Sequence, residues 1–182
     1  HMISRARIKG IVLIDVPRRD LPRHVVGDQA RLRQVLLHLV GNAIKFTQSG
    51  EVEIRVAPVG QEQDGRHVLR FSVRDTGSGM DEEQTHRILD LFRGGGRGLW
   101  PAGGQSGLGL AFAQQIATAM NGFLDVESVP GEGSTFSLDV PLGQVEGAHG
   151  SPPVPSAALA GRRVLLVHPS AAVRACLQEN LL

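Results

Sequence analysis

The stretch His67-Val-Leu-Arg-Phe-Ser-Val-Arg-Asp75 decides the fold, and a glycine turn, Thr76-Gly-Ser-Gly-Met80, follows it directly. Side chains along a strand point alternately to its two faces. Asp75 therefore shares one face of this strand with the apolar residues Leu69, Phe71 and Val73. An ionised carboxylate on that face is costly unless something donates hydrogen bonds to it, and Gly77 and Gly79 let the backbone approach a bound molecule closely. This pattern favours a pocket for a flat, amine-bearing ring such as adenine, although an ordinary Asp-Gly turn is the alternative.

The bulk composition excludes several classes of protein. The 182 residues, 41% of them apolar, suffice for one full domain and a fragment of a second. A net charge of +1 gives no field for nucleic acid or an anionic membrane, so we expect no nucleic-acid partner. A single cysteine, Cys176, fits a reducing, cytoplasmic compartment. Neither a signal peptide nor a membrane-spanning run is visible in the sequence. His1-Met2 resembles a cloning remnant, so the chain could be part of a longer protein that is anchored to the inner membrane.

Hydrophobic periodicity predicts an α/β fold. Strands are expected at Gly10–Val16, Glu51–Val56, His67–Asp75, Phe123–Ser128 and Ser134–Pro141, with a turn at Gly60–Gly65. Helices are expected from an N-cap at Asp28 to about Thr47, at Asp81–Leu91, and from Gly107 to about Met120. The apolar stripe of the last helix is predicted to be Leu108, Phe112, Ile116 and Ala119. Together these elements predict a two-layer sandwich, a mixed and mostly antiparallel sheet with helices on one face.

Residues 92–106 interrupt this pattern with six glycines and a proline. Such a stretch does not favour regular structure. Because it lies inside the domain and leads directly into another glycine motif, we interpret it as a functional lid; an idle linker is the alternative.

The long helix carries two stripes. Its buried side is predicted to hold Leu32, Val35, Leu36, Leu39, Val40 and Ala43. A polar stripe of Gln34, His38, Asn42 and Lys45 follows at spacings of four, four and three. An asparagine oxygen suits Mg²⁺, lysine supplies a charge for phosphate, and histidine can accept a proton near neutral pH. A solvated helix face is the alternative interpretation.

A second glycine motif, Gly104-Gln-Ser-Gly-Leu-Gly-Leu110, enters the last helix. Free backbone amides at a helix start, together with the helix dipole, favour binding of phosphate. The motif is not a P-loop, because no Gly-Lys-Ser/Thr ends it. It also lacks the preceding strand of a dinucleotide-binding fold.

Motifs in the order and spacing of one family span residues 9–142. They are an N box at Gly27–Thr47, a G1 box at Asp75–Gly79, an F box at Ile88–Phe92, a G2 box at Ser106–Leu110, and a closing strand at Gly131–Phe136. By these motifs the chain resembles the catalytic domain of bacterial sensor histidine kinases.

The resemblance implies the Bergerat ATP-binding fold, which gyrase and MutL share, with ATP and Mg²⁺ as cofactors. It implies that Asp75 accepts a hydrogen bond from the adenine amino group, that Asn42 ligates Mg²⁺ and that Lys45 contacts phosphate. With His38, the last two form the expected catalytic set. The remaining cofactor-binding residues implied by the family are Gly77, Gly79, Phe92, Ser106, Gly107, Leu108, Gly109 and Thr135, the last supporting the base through water.

The chain departs from the family pattern at several places. His38 stands where many of these kinases carry Asn, and the lid is unusually rich in glycine. No histidine lies in a phosphoacceptor box, so the phosphoacceptor and dimerisation helices are expected upstream of residue 1. Arg163–Val167 resembles the first strand of a receiver domain, but His168-Pro169 replaces its acidic Mg²⁺ ligands.

These features predict a catalytic domain at residues 3–142, a linker at 143–161 and a degenerate receiver fragment at 162–182. We expect the fragment to dock on the main domain or on another copy, although a frayed tail is the alternative. The predicted function is donation of the γ-phosphate of Mg²⁺-ATP to a histidine on a separate helical domain, with a receiver downstream and a homodimer formed through the parent protein. The alternatives are a nucleotide-binding but non-catalytic interaction module and a free-standing ATPase.

Overall fold

In a computed structural model of the chain, the described residues are 2–16, 18, 21–22, 24–61, 66–94, 107–144, 170 and 173–174. Helices are α1 Met2–Ile8, α2 Gln29–Phe46, α3 Glu82–Arg93 and α4 Gly107–Ala119. Strands are β1 Ile11–Val16, β2 Val25–Val26, β3 Gly50–Gln61, β4 His67–Asp75, β5 Phe123–Val129 and β6 Gly133–Gln144. The predicted lid and linker both begin too early, since Phe92 and Arg93 belong to α3 and Gly143 and Gln144 belong to β6. Most of the lid, the rest of the linker and most of the predicted receiver fragment lie outside the described residues. Among the described helices, none is long and apolar enough to cross a membrane.

The strands form one mixed sheet in the order β1-β3-β4-β6-β2, with β5 also paired to β6. The pairing of β1 with β3 is parallel, and all other pairings are antiparallel. All four helices contribute buried side chains to one core cluster, which also takes Val52 from β3, Val73 from β4 and Leu138 from β6. The helices therefore cover one face of the sheet, which we call the inner face. This arrangement confirms the predicted two-layer sandwich.

Helix α2 begins and ends close to where the sequence predicts. The Asp28 side chain accepts a hydrogen bond of 3.0 Å from the Arg31 backbone amide, which is the geometry of an N-cap. At the other end the buried Thr47 hydroxyl donates to the Ala43 carbonyl at 2.8 Å. The buried residues of α2 are Val35, Leu39, Val40, Ala43 and Ile44. Leu32 and Leu36, which were also predicted to be buried, are only half-buried. The apolar stripe thus extends one residue beyond the predicted set, to Ile44.

The predicted apolar stripe of α4 is wrong at two of its four positions. Phe112 and Ala119 are exposed, and only Ile116 of the predicted residues is shown to be buried. The buried face comprises Leu110, Ala113, Gln114, Ile116 and Ala117. Ala113 and Ala117 are fully buried, and Phe112 instead lies beside the His38 ring of α2. The prediction placed Phe112 on the buried side of the helix because it relied on hydrophobicity alone.

Some element boundaries also differ. Strand β3 continues to Gln61, through the start of the turn predicted at Gly60–Gly65, with an irregularity between Pro58 and Gly60. Strand β6 continues past Pro141 to Gln144, where it pairs with β2. The short helix α1 was not predicted, because it has no acidic residue in its first turn and buries only Ala6. By contrast, α3 begins after Asp81 with a capping box to Gln84, close to the predicted start.

Candidate functional site

Asp75 ends β4 on the inner face, as the strand alternation predicts, and only 4% of it is exposed. The Gly77 backbone amide donates a hydrogen bond of 2.8 Å to its Oδ1 atom. Burial raises the pKa of the Asp75 carboxyl above its usual value, and hydrogen bonds from the Gly77 and Ser134 backbone amides offset part of that rise. The main chain therefore holds this buried acceptor in place, and no cationic side chain contributes to the shift of its pKa.

The glycine turn after Asp75 is packed too closely for side chains. A Cβ atom on Gly77 would lie 2.6 Å from the Phe46 carbonyl oxygen and 2.8 Å from Asp75 Oδ1. Gly79 has a φ of +63°, and a Cβ there would clash with the Val129 carbonyl. The contact between Gly77 and Phe46 also shows that the turn meets the C-terminal end of α2. The structure therefore brings Asp75 and the helix that carries the polar stripe to one place.

His38 is oriented by its own helix. Its Nδ1 atom lies 2.9 Å from the Gln34 carbonyl oxygen. A carbonyl can only accept, so this hydrogen bond requires a proton on Nδ1, and in the tautomer that carries only this proton Nε2 is an acceptor. The contact with Gln34 therefore orients the half-buried ring and favours the tautomer that a proton acceptor at Nε2 requires.

The same ring joins α2 to the start of α4. A Cβ atom on Gly109 would lie 3.1 Å from His38 Cδ2, and the Phe112 ring centroid lies 5.7 Å from that of His38. The glycine motif therefore enters the helix beside the polar stripe. The backbone of Gly107 and Leu108 forms the first turn of α4, whereas their side chains and all of Ser106 lie outside the described parts.

Asn42 and Lys45 occupy the last two turns of α2. Asn42 is half-buried, and Lys45 is exposed with its Nζ atom 5.2 Å from the Phe46 ring centroid. Within the described residues no group of three or more His, Cys, Asp or Glu side chains could hold a metal ion. The donor set fits Mg²⁺ only as a single amide oxygen, with phosphates and water as the remaining ligands, which is how this ion is commonly bound beside nucleotides.

The strand register corrects the prediction for Thr135. Thr135 pairs with Arg74 on one side and Glu127 on the other, and these residues lie on the sheet face away from Asp75. Ser134 pairs directly with Asp75, is buried, and places its hydroxyl 2.9 Å from the hydroxyl of Ser128. Sequence reasoning missed Ser134, although the inward alternation of Phe136, Leu138 and Val140 continues to it.

The Ser128 hydroxyl extends this polar corner. It accepts a hydrogen bond of 2.8 Å from the Met80 backbone amide and donates to the Gly133 carbonyl at 3.0 Å. Ser134, beside Asp75, is thereby linked through Ser128 to Met80, the last residue of the glycine turn. A short hydroxyl network thus fixes the turn relative to β5 and β6.

Phe92, expected to contact the cofactor, is buried in the core cluster. Its carbonyl accepts a hydrogen bond of 2.6 Å from Gln114 Nε2, and the buried Oε1 atom of that amide has no partner within the described structure. Phe92 thus ties the end of α3 to α4, and its ring is core rather than pocket surface.

Comparisons with known proteins agree with this geometry. Residues 27–144 match the family described as histidine kinase-, DNA gyrase B-, and HSP90-like ATPase. The sensor histidine kinase GacS of Pseudomonas protegens is 35% identical over 178 residues, which are 97% of this chain and 19% of GacS. The sensor histidine kinase AruS of Pseudomonas aeruginosa is 40% identical over 141 residues, 78% of this chain and 14% of AruS.

A solved structure is also similar over nearly the whole chain. The crystal structure of full-length ShkA in complex with AMPPNP superposes with a TM-score of 0.75 at 33% identity, covering 99% of this chain and 35% of that one. This chain therefore spans less than a fifth of the two curated relatives and about a third of the solved one.

Proposed function

This chain belongs to the family of histidine kinase-, DNA gyrase B- and HSP90-like ATPases, and on that premise we propose that it presents Mg²⁺-ATP to a histidine on a separate helical domain in two-component signalling. The observation that carries the proposal is the buried Asp75 carboxylate, held by the Gly77 amide in a turn that touches the end of α2. An acceptor so placed suits the amino group of adenine, and the polar stripe of α2 suits the triphosphate.

Each residue then has a defined task. Asp75 accepts the hydrogen bond from the adenine amino group, and Ser134, rather than Thr135, supports the base from the neighbouring strand. Gly77 and Gly79 allow the main chain to approach the ring. Asn42 offers its amide oxygen to Mg²⁺, which when bound neutralises charge on the phosphates.

Phosphoryl transfer needs positioning and charge neutralisation more than covalent help from the protein. Lys45 holds the phosphates, and the amides at the start of α4, including Gly107 and Gly109, receive them at the positive end of the helix dipole. His38 Nε2 accepts the proton that the acceptor imidazole loses when its nitrogen bonds to the γ-phosphorus and ADP leaves. Phosphoryl transfer therefore requires the partner domain, supplied in cis or in trans.

Calorimetric titration of the chain with ATP, with and without Mg²⁺, tests the binding step. We expect Mg²⁺ to tighten binding, Asn42→Ala to remove mainly that gain, and the exposed Gln115→Ala to leave it unchanged as a control on α4. Equal loss in both metal conditions would contradict the role of Asn42, and no binding at all would contradict the proposal.

Transfer is tested by mixing the chain with a cognate helical domain and radiolabelled ATP. Label on the histidine of that domain supports the kinase function. Tight binding without transfer supports the non-catalytic module instead. Steady phosphate release by the chain alone supports a free-standing ATPase.

A further inference from the structure

Two apolar residues of β1 are buried on the face of the sheet that lies opposite the hydrophobic core. Ile14 is 5% exposed and Val16 is 2% exposed. The β1 register places them beside Glu53 and Arg55 of β3, whereas Leu13 lies beside the core residue Val52. Ile14 and Val16 therefore point to the outer face of the sheet, opposite the helices.

None of the described helices explains this burial. Each helix sends buried side chains into the core cluster on the inner face, and neither Ile14 nor Val16 belongs to that cluster. Leu21, which follows β1 in the described chain, also packs against the inner cluster. The core cluster therefore does not account for the burial of Ile14 and Val16.

The buried patch is local. Further across the outer face, Arg70 and Asp139 form an ion pair of 2.7 Å, and the Ser72 and Ser137 hydroxyls lie 3.2 Å apart. Val12, on the same face of β1, is 37% exposed. We call Ile14, Val16 and the adjacent Glu53, whose side chain is 14% exposed, the outer patch.

Among the stretches outside the described residues, residues 162–182 have the strongest apolar pattern. Residues 62–65 are Glu-Gln-Asp-Gly, residues 95–106 connect two helices of the inner layer, and residues 145–161 are rich in Gly, Pro, Ala and Ser with only scattered larger apolar residues. Residues 162–182 contain the apolar run Val164–Val167, and their sequence repeats apolar residues at a spacing of four, at Val173, Leu177 and Leu181. A fragment of this length is too short to bury a core by itself.

Two described residues of that segment also indicate packing. Ser170 is only 7% exposed, and its hydroxyl accepts a hydrogen bond of 3.1 Å from the Val173 backbone amide at the start of a helical turn. Val173 itself is half-buried. We propose that residues 162–182 dock on the outer patch of the same chain, so that Ile14 and Val16 form the seat of the segment that follows the catalytic domain.

The single cysteine allows this to be tested in the full chain. A nitroxide attached to Cys176 should broaden the amide NMR signals of β1 and of Glu53–Arg55 in β3, and leave those of α3 sharp. Sharp signals throughout β1 would overturn the proposal. A control mixes spin-labelled chains with isotope-labelled chains that carry no nitroxide. Broadening of the β1 signals in this mixture would show that the segment of a second copy occupies the patch, and would contradict docking within one chain.

Substitution provides a test that does not modify the segment. Val16→Ser should speed tryptic cleavage at Arg162, Arg163 and Arg174 at least several-fold, whereas Val12→Ser, on the same face but exposed, should not. Equal cleavage of both variants and the wild type would overturn the proposal. ATP affinity should be unchanged in both variants, because neither residue belongs to the nucleotide site. Loss of docking can therefore be distinguished from loss of nucleotide binding.

Discussion

The Lys9 ammonium donates a hydrogen bond of 2.8 Å to the Ile44 carbonyl oxygen, across 35 positions of sequence. It also donates to the carbonyls of Lys45 and Thr47, each at 3.0 Å. The last four carbonyls of a helix lack partners within the helix, and the negative end of the helix dipole favours a cation there. Lys9 therefore caps the end of α2 from which Asn42 and Lys45 project.

We expect Lys9→Met to lower the free energy of unfolding by about 1 kcal/mol, the scale of a partly exposed cation at a helix C-terminus. Lys9→Arg should restore most of this loss, because it keeps the charge. Urea unfolding of the three proteins at low and high salt measures the effect, and the difference should shrink as salt screens the charge. If Lys9→Met unfolds at the wild-type midpoint, the cap contributes nothing.

Asp75→Asn should move stability and affinity in opposite directions. Loss of the charged acceptor should weaken ATP binding by about 1.5–3 kcal/mol, the range for a hydrogen bond to a charged group. Without nucleotide, the variant should unfold at a higher temperature than the wild type near pH 7, because a buried carboxylate no longer has to ionise. Calorimetry and thermal unfolding on the same samples separate the two effects, and an unchanged ATP affinity would refute the role of Asp75.

The pH dependence has a definite sign. Because the pKa of Asp75 is raised in the folded protein, its contribution to stability is fully present below the ordinary aspartate pKa and is lost as pH rises through the raised value. The unfolding temperature of Asp75→Asn minus that of the wild type should therefore grow as pH rises across this interval. A difference that shrinks with rising pH would show that the folded protein favours the ionised form.

Local periodicity in the sequence is enough to predict most of the fold and the position of Asp75 at the centre of the site. Asp75 lies where a two-residue alternation places it, and α2 begins at the N-cap that Asp28 predicts. Both signals sit within a few residues of what they determine. The cap by Lys9 could not be predicted in this way, because it joins residues that only the tertiary fold brings together.

The two errors in the prediction have different origins. Phe112 is apolar and falls on a helical stripe, yet close packing of α4 favours the small Ala113 and Ala117, and the ring contacts His38 instead. Thr135 was expected at the base because a motif suggested it, although strand parity assigns that face to Ser134. The alternation of Phe136, Leu138 and Val140 along β6 already implies this, whereas no local pattern contains the packing of α4 against its neighbours.

Ser134→Ala and Thr135→Ala form a matched pair that tests this assignment. Ser134→Ala removes the hydroxyl beside Asp75 and its contact with Ser128, so we expect weaker ATP binding by about 1 kcal/mol, the value of one hydrogen bond. Thr135→Ala changes the opposite face and should leave affinity unchanged. Titration of both variants with ATP and with GTP measures the effect. A larger loss for Thr135→Ala would return the supporting role to that residue.

Gly77→Ala and Gly109→Ala should differ because different atoms surround the added methyl group. At Gly77 the nearest atom is a backbone oxygen, which cannot yield, so we expect a loss of about 1–3 kcal/mol in stability. At Gly109 the methyl group meets only the His38 ring at 3.1 Å, and alanine gains about 1 kcal/mol of helix propensity. Gly109→Ala should therefore unfold near the wild-type midpoint while shifting the imidazole NMR signals of His38. A wild-type His38 spectrum in that variant would contradict the close packing of the two helices, and a stable Gly77→Ala would contradict the contact between the glycine turn and α2.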